Sequence, residues 1–303
     1  MKQKRTYRLF FPLLALLLGA SCSDWTETEG IDNTVYKPWE QNPALWADYT
    51  AALRAYKTSA HYLSYARLYN SPTPAASEQD FMRCLPDSLD IVTLTNADNF
   101  SAYDAEDMST MREKGTRVLY QVDYASRKAD YADATALSAY LDDVIAAVRT
   151  HGLDGYSFTT DPLDAAATAT IVATLSAAKT DGQLLVFEGN PLSVAAADRA
   201  KLDYVVLDTE KAETMTDVRL QVLNATTYAG IAAERLLLAA EIDAPLQDAD
   251  RTEYAAVEAV ARCVVEYGPL AGFAAYNIAG DYYHADGNYR TIRAAIQTLN
   301  PSK

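Results

Sequence analysis

Residues 151–164 read HGLDGYSFTTDPLD, and their pattern sets the architecture of the chain. The residues before them carry Leu137, Leu141, Val144, Ile145 and Val148 on one apolar stripe, which predicts a helix over 133–151 with Gly152 at its C-cap. After the Asp154-Gly155 pair, residues 156–161 alternate in character until Pro162 stops them, the pattern of a short strand. Strand side chains point alternately to opposite faces. Ser157, Thr159 and Asp161 therefore share one face, and Tyr156 lies on the other. The stretch is thus a helix delivered through a tight turn into a strand.

The same rhythm runs outward in both directions. Asn42 and Pro43 open a helical pattern through Trp46, Tyr49, Leu53 and Tyr56. Eight β-rich runs follow, at 61–70, 89–96, 117–124, 154–161, 184–190, 204–210, 235–243 and 272–280. Helical segments alternate with them at 78–85, 104–114, 133–151, 164–180, 194–200, 213–224, 250–267 and 287–298. Such a series predicts a single α/β domain, a (β/α)8 TIM barrel over residues 42–303. An open doubly wound sheet is the alternative, but it normally carries a Gly-rich phosphate turn after an early strand, and none is present.

Half the residues are apolar and 22% are charged, enough apolar material for a large core. The 41 acids and 26 bases leave a net charge of −15. The first 21 residues hold four of the bases (Lys2, Lys4, Arg5, Arg8) and no acid, so the remainder is more acidic still. A surface of that sign repels nucleic acid and anionic headgroups. The 21 Tyr against seven Phe offer flat apolar faces with polar rims, suited to sugar rings as well as to half-wet packing.

The chain begins MKQKRTYRLFFPLLALLLGASC, with a basic start, an apolar run from Leu9 to Leu18 and small residues before Cys22. That run is short for a bilayer span and flanked like a signal peptide. Gly19-Ala20-Ser21-Cys22 resembles a bacterial lipobox, which implies a lipoprotein signal peptide over 1–21, lipidation of Cys22 and a polar tether over 22–41. The acidic residues just after it (Asp24, Glu27, Glu29) resemble the surface-export signal of lipoproteins in the Bacteroidetes, and imply an outer-membrane anchor facing the cell surface. Cys84 and Cys263 are expected as buried free thiols. His61, His151 and His284 stand at no metal-ligand spacing with them, so no metal and no cofactor is expected.

In such a barrel the active face is built at the carboxyl ends of the strands. The polar and aromatic residues there are Tyr65, Tyr69, Asn70, Asn96, Gln121, Asp123, Asp161, Glu188, Asn190, Asp208, Glu210, Glu241, Tyr276 and Asn277. Tyr282, Tyr283 and Tyr289 follow in the loop after the last strand.

LDGYSFTTDP resembles the strand-four signature of glycoside hydrolase family 18, the chitinase and endo-β-N-acetylglucosaminidase family, written D-G-x-D-x-D-x-E. Asp154 and Gly155 match; the two inner Asp positions fall on Ser157 and Thr159, and the Glu falls on Asp161. LRAYKTSAHYLSYARLYN, LPDSLDIVTL and GNYRTIRAAIQTLNP resemble further pieces of family members, so the likeness spans roughly residues 40–301. The resemblance implies substrate-assisted hydrolysis, in which the Glu protonates the leaving oxygen, the substrate's acetamido oxygen attacks and the neighbouring Asp orients that amide.

The departures point away from hydrolysis. Thr159 supplies no charge. Asp161 is one methylene short, about 1 Å, a displacement that costs ~10²-fold, and loss of a positioned general acid costs roughly 10²–10⁴. YVVLDTE at strand six lacks the family's acetamido-holding Tyr. Asp154 is expected to be structural, and Asp161 alone could simply cap the next helix beside Pro162.

Three readings follow. The first is a catalytically inactive, surface-anchored barrel that binds N-acetylglucosamine-containing glycans, N-glycans among them, for a companion glycosidase and an importer. Its binding set would be Tyr65, Tyr69, Gln121, Asp123, Thr159, Asp161, Glu188, Asn190, Asp208, Glu241, Tyr276, Asn277, Tyr282 and Tyr283. The second is a working hydrolase using Asp161, Glu188 or Glu241 as its acid. The third is a scaffold lipoprotein with a vestigial pocket. Fold alone does not choose among them.

Overall fold

The computed structural model describes residues 36–131 and 133–301. The expected signal peptide, Cys22 and most of the expected tether lie outside these residues. A helical turn, Pro38–Gln41, falls at the end of the expected tether, and a longer helix, Pro43–Thr58, follows. Ala47–Lys303 is one compact unit and contains the barrel.

Eight parallel strands close on themselves, each paired with its neighbours in chain order and the last with the first. They are strand 1 (Leu63–Leu68), 2 (Ile91–Leu94), 3 (Arg117–Asp123), 4 (Gly155–Thr159), 5 (Leu184–Glu188), 6 (Tyr204–Asp208), 7 (Leu236–Glu241) and 8 (Gly272–Tyr276). The architecture is the expected (β/α)8 barrel.

Two apolar layers result from the period-2 alternation of strand side chains. Tyr65, Ile91, Leu119, Val186, Val206, Leu237, Ala239 and Tyr276 fill the barrel's interior. Tyr120, Tyr156, Phe158, Phe187, Leu238 and Phe273 face the helices. Tyr156 is outward, as its position two residues from Phe158 requires.

The segment around 151–164 shows how local chemistry closes the barrel. The helix Ala134–His151 starts at Asp133, whose carboxylate accepts from the amides of Thr135 and Ala136. It buries Leu137, Leu141, Val144 and Val148, with Ile145 at the edge of the stripe, and ends at Gly152 with φ 63°. Asp154 then reaches back, its Oδ2 accepting from the amide of Val118 at 2.8 Å. Gly155 has φ +133°, and a Cβ there would sit 2.1 Å from the carbonyl oxygen of Leu184. Only glycine allows the strands to approach so closely.

Three expectations need correction. Residues 78–85 form two short 3-10 turns, Glu78–Asp80 and Met82–Cys84, instead of a helix. The segment 250–267 is helical only from Ala256 to Glu266, because Pro245–Gln247 and Glu253–Ala255 pair first as an antiparallel ribbon. Cys84 and Cys263 are both free thiols, but Cys84 is half-buried. Among the described residues, no helix is long and apolar enough to cross a membrane.

Candidate functional site

The inward side chains at the carboxyl ends of strands 1, 3 and 5 form one connected polar layer. Glu188 ends strand 5 with its side chain fully removed from solvent. Its Oε1 accepts from the Tyr65 hydroxyl at 3.0 Å and from Nε2 of Gln121 at 2.9 Å, and its Oε2 accepts from Nε of Arg67 at 2.5 Å. Four lone-pair positions on one carboxylate thus meet three donors, one of them charged. The Arg67 guanidinium also lies 3.5 Å over the centre of the Tyr276 ring, a cation–π contact that covers that aromatic face. Burial disfavours the charge on Arg67, but Glu188 outweighs it and holds the guanidinium protonated. Burial drives the Tyr65 and Tyr276 hydroxyls far above the usual phenol range, and Glu188 reinforces the effect.

Strand 4 contributes no carboxylate to this layer. Ser157 is hydrogen-bonded to Thr93 of strand 2 at 2.6 Å, both of them buried. Thr159 donates to Oδ1 of Asp123 at 2.7 Å and accepts from the amide of Ala125 at 3.1 Å. Both hydroxyls are committed to neighbouring elements.

Asp161 lies beyond the end of strand 4. Its Oδ2 accepts from Lys128 Nζ at 2.9 Å and its Oδ1 from the amide of Leu163 at 2.8 Å. It does not cap the next helix. Asp164 does, accepting from the amide of Ala167 at 3.1 Å while Tyr124 donates to its other oxygen at 2.8 Å. The Lys128 ammonium, then the Leu163 amide, hold the Asp161 carboxyl below the usual range. A general acid at neutral pH needs the opposite shift.

Among the candidate carboxyls at the strand ends, half-buried Glu241 at the end of strand 7 is shifted in that direction. Burial raises it, followed by the charges of Glu210, Asp208 and Asp243, with Arg67 opposing. Asp208 and Glu210 are exposed at the end of strand 6, where Asp208 Oδ1 accepts from the Glu210 amide at 2.8 Å.

The remaining candidates are dispersed around the rim. Tyr69 is 58% exposed and Tyr283 is 80% exposed, so both present free faces. Tyr282 packs edge-on against buried Tyr289 at 5.5 Å between ring centres and belongs to the core layer. Asn190 accepts from the amide of Leu192 at 3.0 Å and starts the 3-10 turn Pro191–Ser193. Asn277 is exposed, with φ 55°. Asn70 and Asn96 are buried, Asn70 binding Asp104 at 3.0 Å. Sequence reading missed Arg67 and Lys128, the two cations that pair with Glu188 and Asp161. Arg67 was findable by parity, since it shares a face with Tyr65 two residues before it.

A family model described as glycoside hydrolase family 18, BT1044-like, matches residues 26–150, which ends before strand 4. No curated protein matches the sequence. Solved structures extend the likeness. A selenomethionine form of a BT1044 variant superposes with TM-score 0.70 at 15% identity, covering 88% of this chain and 96% of its own. The endo-β-N-acetylglucosaminidase of Cordyceps militaris gives 0.63 at 16% identity, covering 89% and 98%. YKL-39, solved in the presence of chitooligosaccharides (GlcNAc4), gives 0.63 at 11% identity, covering 80% and 100%. The closed parallel barrel, the retained Asp154-Gly155 turn and these matches together identify the chain as having the glycoside hydrolase family 18-like fold.

Proposed function

We propose that this protein is a cell-surface lipoprotein that binds N-acetylglucosamine-containing glycans without cleaving them. One observation carries the reading: the carboxylate at the barrel's centre, Glu188, is neutralised by Arg67, and Arg67 also occupies the face of Tyr276. A hydrolase needs a general acid free to pass a proton to the leaving group, and here Arg67 engages both the central carboxyl and the aromatic face beside it. Asp161, ionised beside Lys128, supplies no proton in its place. Binding would then fall to the outer rim, where Tyr69 and Tyr283 offer exposed faces and Asp208, Glu241 and Asn277 offer acceptors. Two structural neighbours, an endo-β-N-acetylglucosaminidase and a protein solved in the presence of GlcNAc4, support the ligand class. Lipidation at Cys22 would hold the barrel at the outer membrane and hand glycans to an importer and a companion glycosidase.

A second reading rests on Glu241. Its raised pKa suits a general acid, so a residual hydrolase acting from strand 7 is the competitor. Turnover and affinity measured together on N-glycans and chitooligosaccharides decide between them. Binding without turnover, weakened in Tyr69→Ala or Tyr283→Ala, is the expected result. Turnover abolished by Glu241→Gln or by Asp161→Ala would overturn the non-hydrolytic reading.

A further inference from the structure

The ends of strands 6, 7 and 8 carry an uneven charge. Strand pairing sets Asp208 beside Ala239 and Glu241 beside Tyr276, so Asp208, Glu241 and Tyr276 form one arc of the mouth. Glu210 follows Asp208 by two residues, and Asp243 follows Glu241 by two, close to Asn277 and Gly280. The cation on the next strand, Arg67, is already matched by Glu188. Arg67 offsets part of the charge at Glu241, and the carboxylates of Asp208, Glu210, Glu241 and Asp243 still outnumber it. A second feature lies in the same arc. Tyr276 is 2% exposed, and its buried hydroxyl has no hydrogen-bond partner. It sits within the electrostatic reach of Glu188, Tyr65 and Asp208. Buried hydroxyls are normally satisfied, so an unpaired one near Glu188 and Asp208 marks a place for an incoming donor.

An ammonium group meets both requirements. It supplies up to three N–H donors and one positive charge, whereas an acetamido group supplies one N–H and no charge. Its arrival would also relieve the mutual repulsion that, together with burial, raises the Glu241 carboxyl.

We propose that this mouth selects amino sugars with a free ammonium, de-N-acetylated glucosamine units, over their N-acetylated counterparts, with Glu241 and Asp208 as the selecting carboxylates and the Tyr276 hydroxyl as an acceptor. The inference rests on the glycan-binding reading above and moves its preferred ligand from fully acetylated chains to chains that carry free amino sugars. Two half-exposed ion pairs imply a preference of about tenfold, weakened by salt.

Calorimetry on the full-length chain in detergent tests it, with the glucosamine tetramer, the N-acetylglucosamine tetramer and tetralysine as probes. The glucosamine tetramer is expected to bind about tenfold more tightly than the acetylated one, and the Glu241→Gln, Asp208→Asn double variant to bring the two within about twofold. The Asp142→Asn, Asp143→Asn double variant on the exposed face of the helix Ala134–His151 is expected to retain the preference. Thermal melts of each variant verify folding. Equal or tighter binding of the acetylated tetramer would reject the charge selection and leave glycan binding standing. Loss of the preference in the Asp142, Asp143 variant, or tetralysine binding as tightly as the glucosamine tetramer, would reduce it to attraction by net charge and reject it. Binding of neither tetramer would remove the glycan-binding reading itself, and this inference with it.

Discussion

Arg67 Nε lies 2.5 Å from Oε2 of Glu188, joining strand 1 to strand 5 across the interior of the barrel. The carboxylate is fully buried, so its charge has no water to fall back on if the guanidinium leaves. Arg67→Met should therefore destabilise the protein by about 3–5 kcal/mol, the usual cost of leaving a buried charge unpaired. Adding Glu188→Gln to that variant should recover at least half of the loss, since the amide still accepts from Tyr65. Urea titrations of the two variants give the comparison, and a double variant no more stable than the single would argue against the pairing.

Returning two of the three departed signature positions of strand 4 to Asp and Glu should not produce hydrolysis. In Thr159→Asp with Asp161→Glu, the new carboxylate replaces the hydroxyl that donates to Asp123 at 2.7 Å. Two carboxyls at that distance share a proton, which removes the charge the substitution was meant to supply. Arg67 would still cover Tyr276. A fluorogenic N-acetylglucosaminide assay on the double variant should remain at background, and turnover well above it would show an open, competent pocket.

Lys57 sets an alkaline dependence. Burial lowers its pKa from 10.5 to about 8, against the pull of Asp90 and Asp87. Its folded value is lower than its unfolded one, so the folded state binds fewer protons between the two. Stability should rise with pH across roughly pH 8 to 10.5, by at most about 3 kcal/mol. Lys57→Met should flatten that rise. Thermal midpoints of wild type and variant at matched pH values provide the test, and parallel curves would refute it.

The acid side belongs in part to Asp161. Lys128 and the Leu163 amide depress its pKa, so its contribution is present above the ordinary Asp range and is lost as pH falls through the depressed folded value. The gap in melting temperature between wild type and Asp161→Asn should close as pH is lowered through that window. A gap that stays constant down to pH 2 would show that the ion pair contributes nothing.

Much of this was readable in the chain. Period-2 alternation gave the strand faces, down to Tyr156 pointing outward and Ser157 inward, because the two positions differ by one residue. The helix expected over 133–151 was legible from its apolar stripe and from Gly152 at its end. The pairing of Arg67 with Glu188 was not, since the two are 121 residues apart and only barrel closure brings them together. The three-residue ribbon strands were missed because so short a run carries no periodicity. Tyr282 and Tyr283 are adjacent and chemically identical, yet one packs inward and the other is bare; loop geometry decides that.

The turn at Asp154 and Gly155 separates two kinds of information within one signature. Val118 and Leu184 leave that turn no latitude: a side chain at position 155 would collide with backbone 2.1 Å away. Positions 157, 159 and 161 meet no such backbone collision, and each of their present side chains has an ordinary hydrogen-bond partner. A pattern scored across all of them adds a test of whether the chain can close its barrel to a test of whether it can do chemistry. In this protein positions 154 and 155 keep the residues that close the barrel, while 157, 159 and 161 carry Ser, Thr and Asp, so the recognisable half of the motif reports on construction.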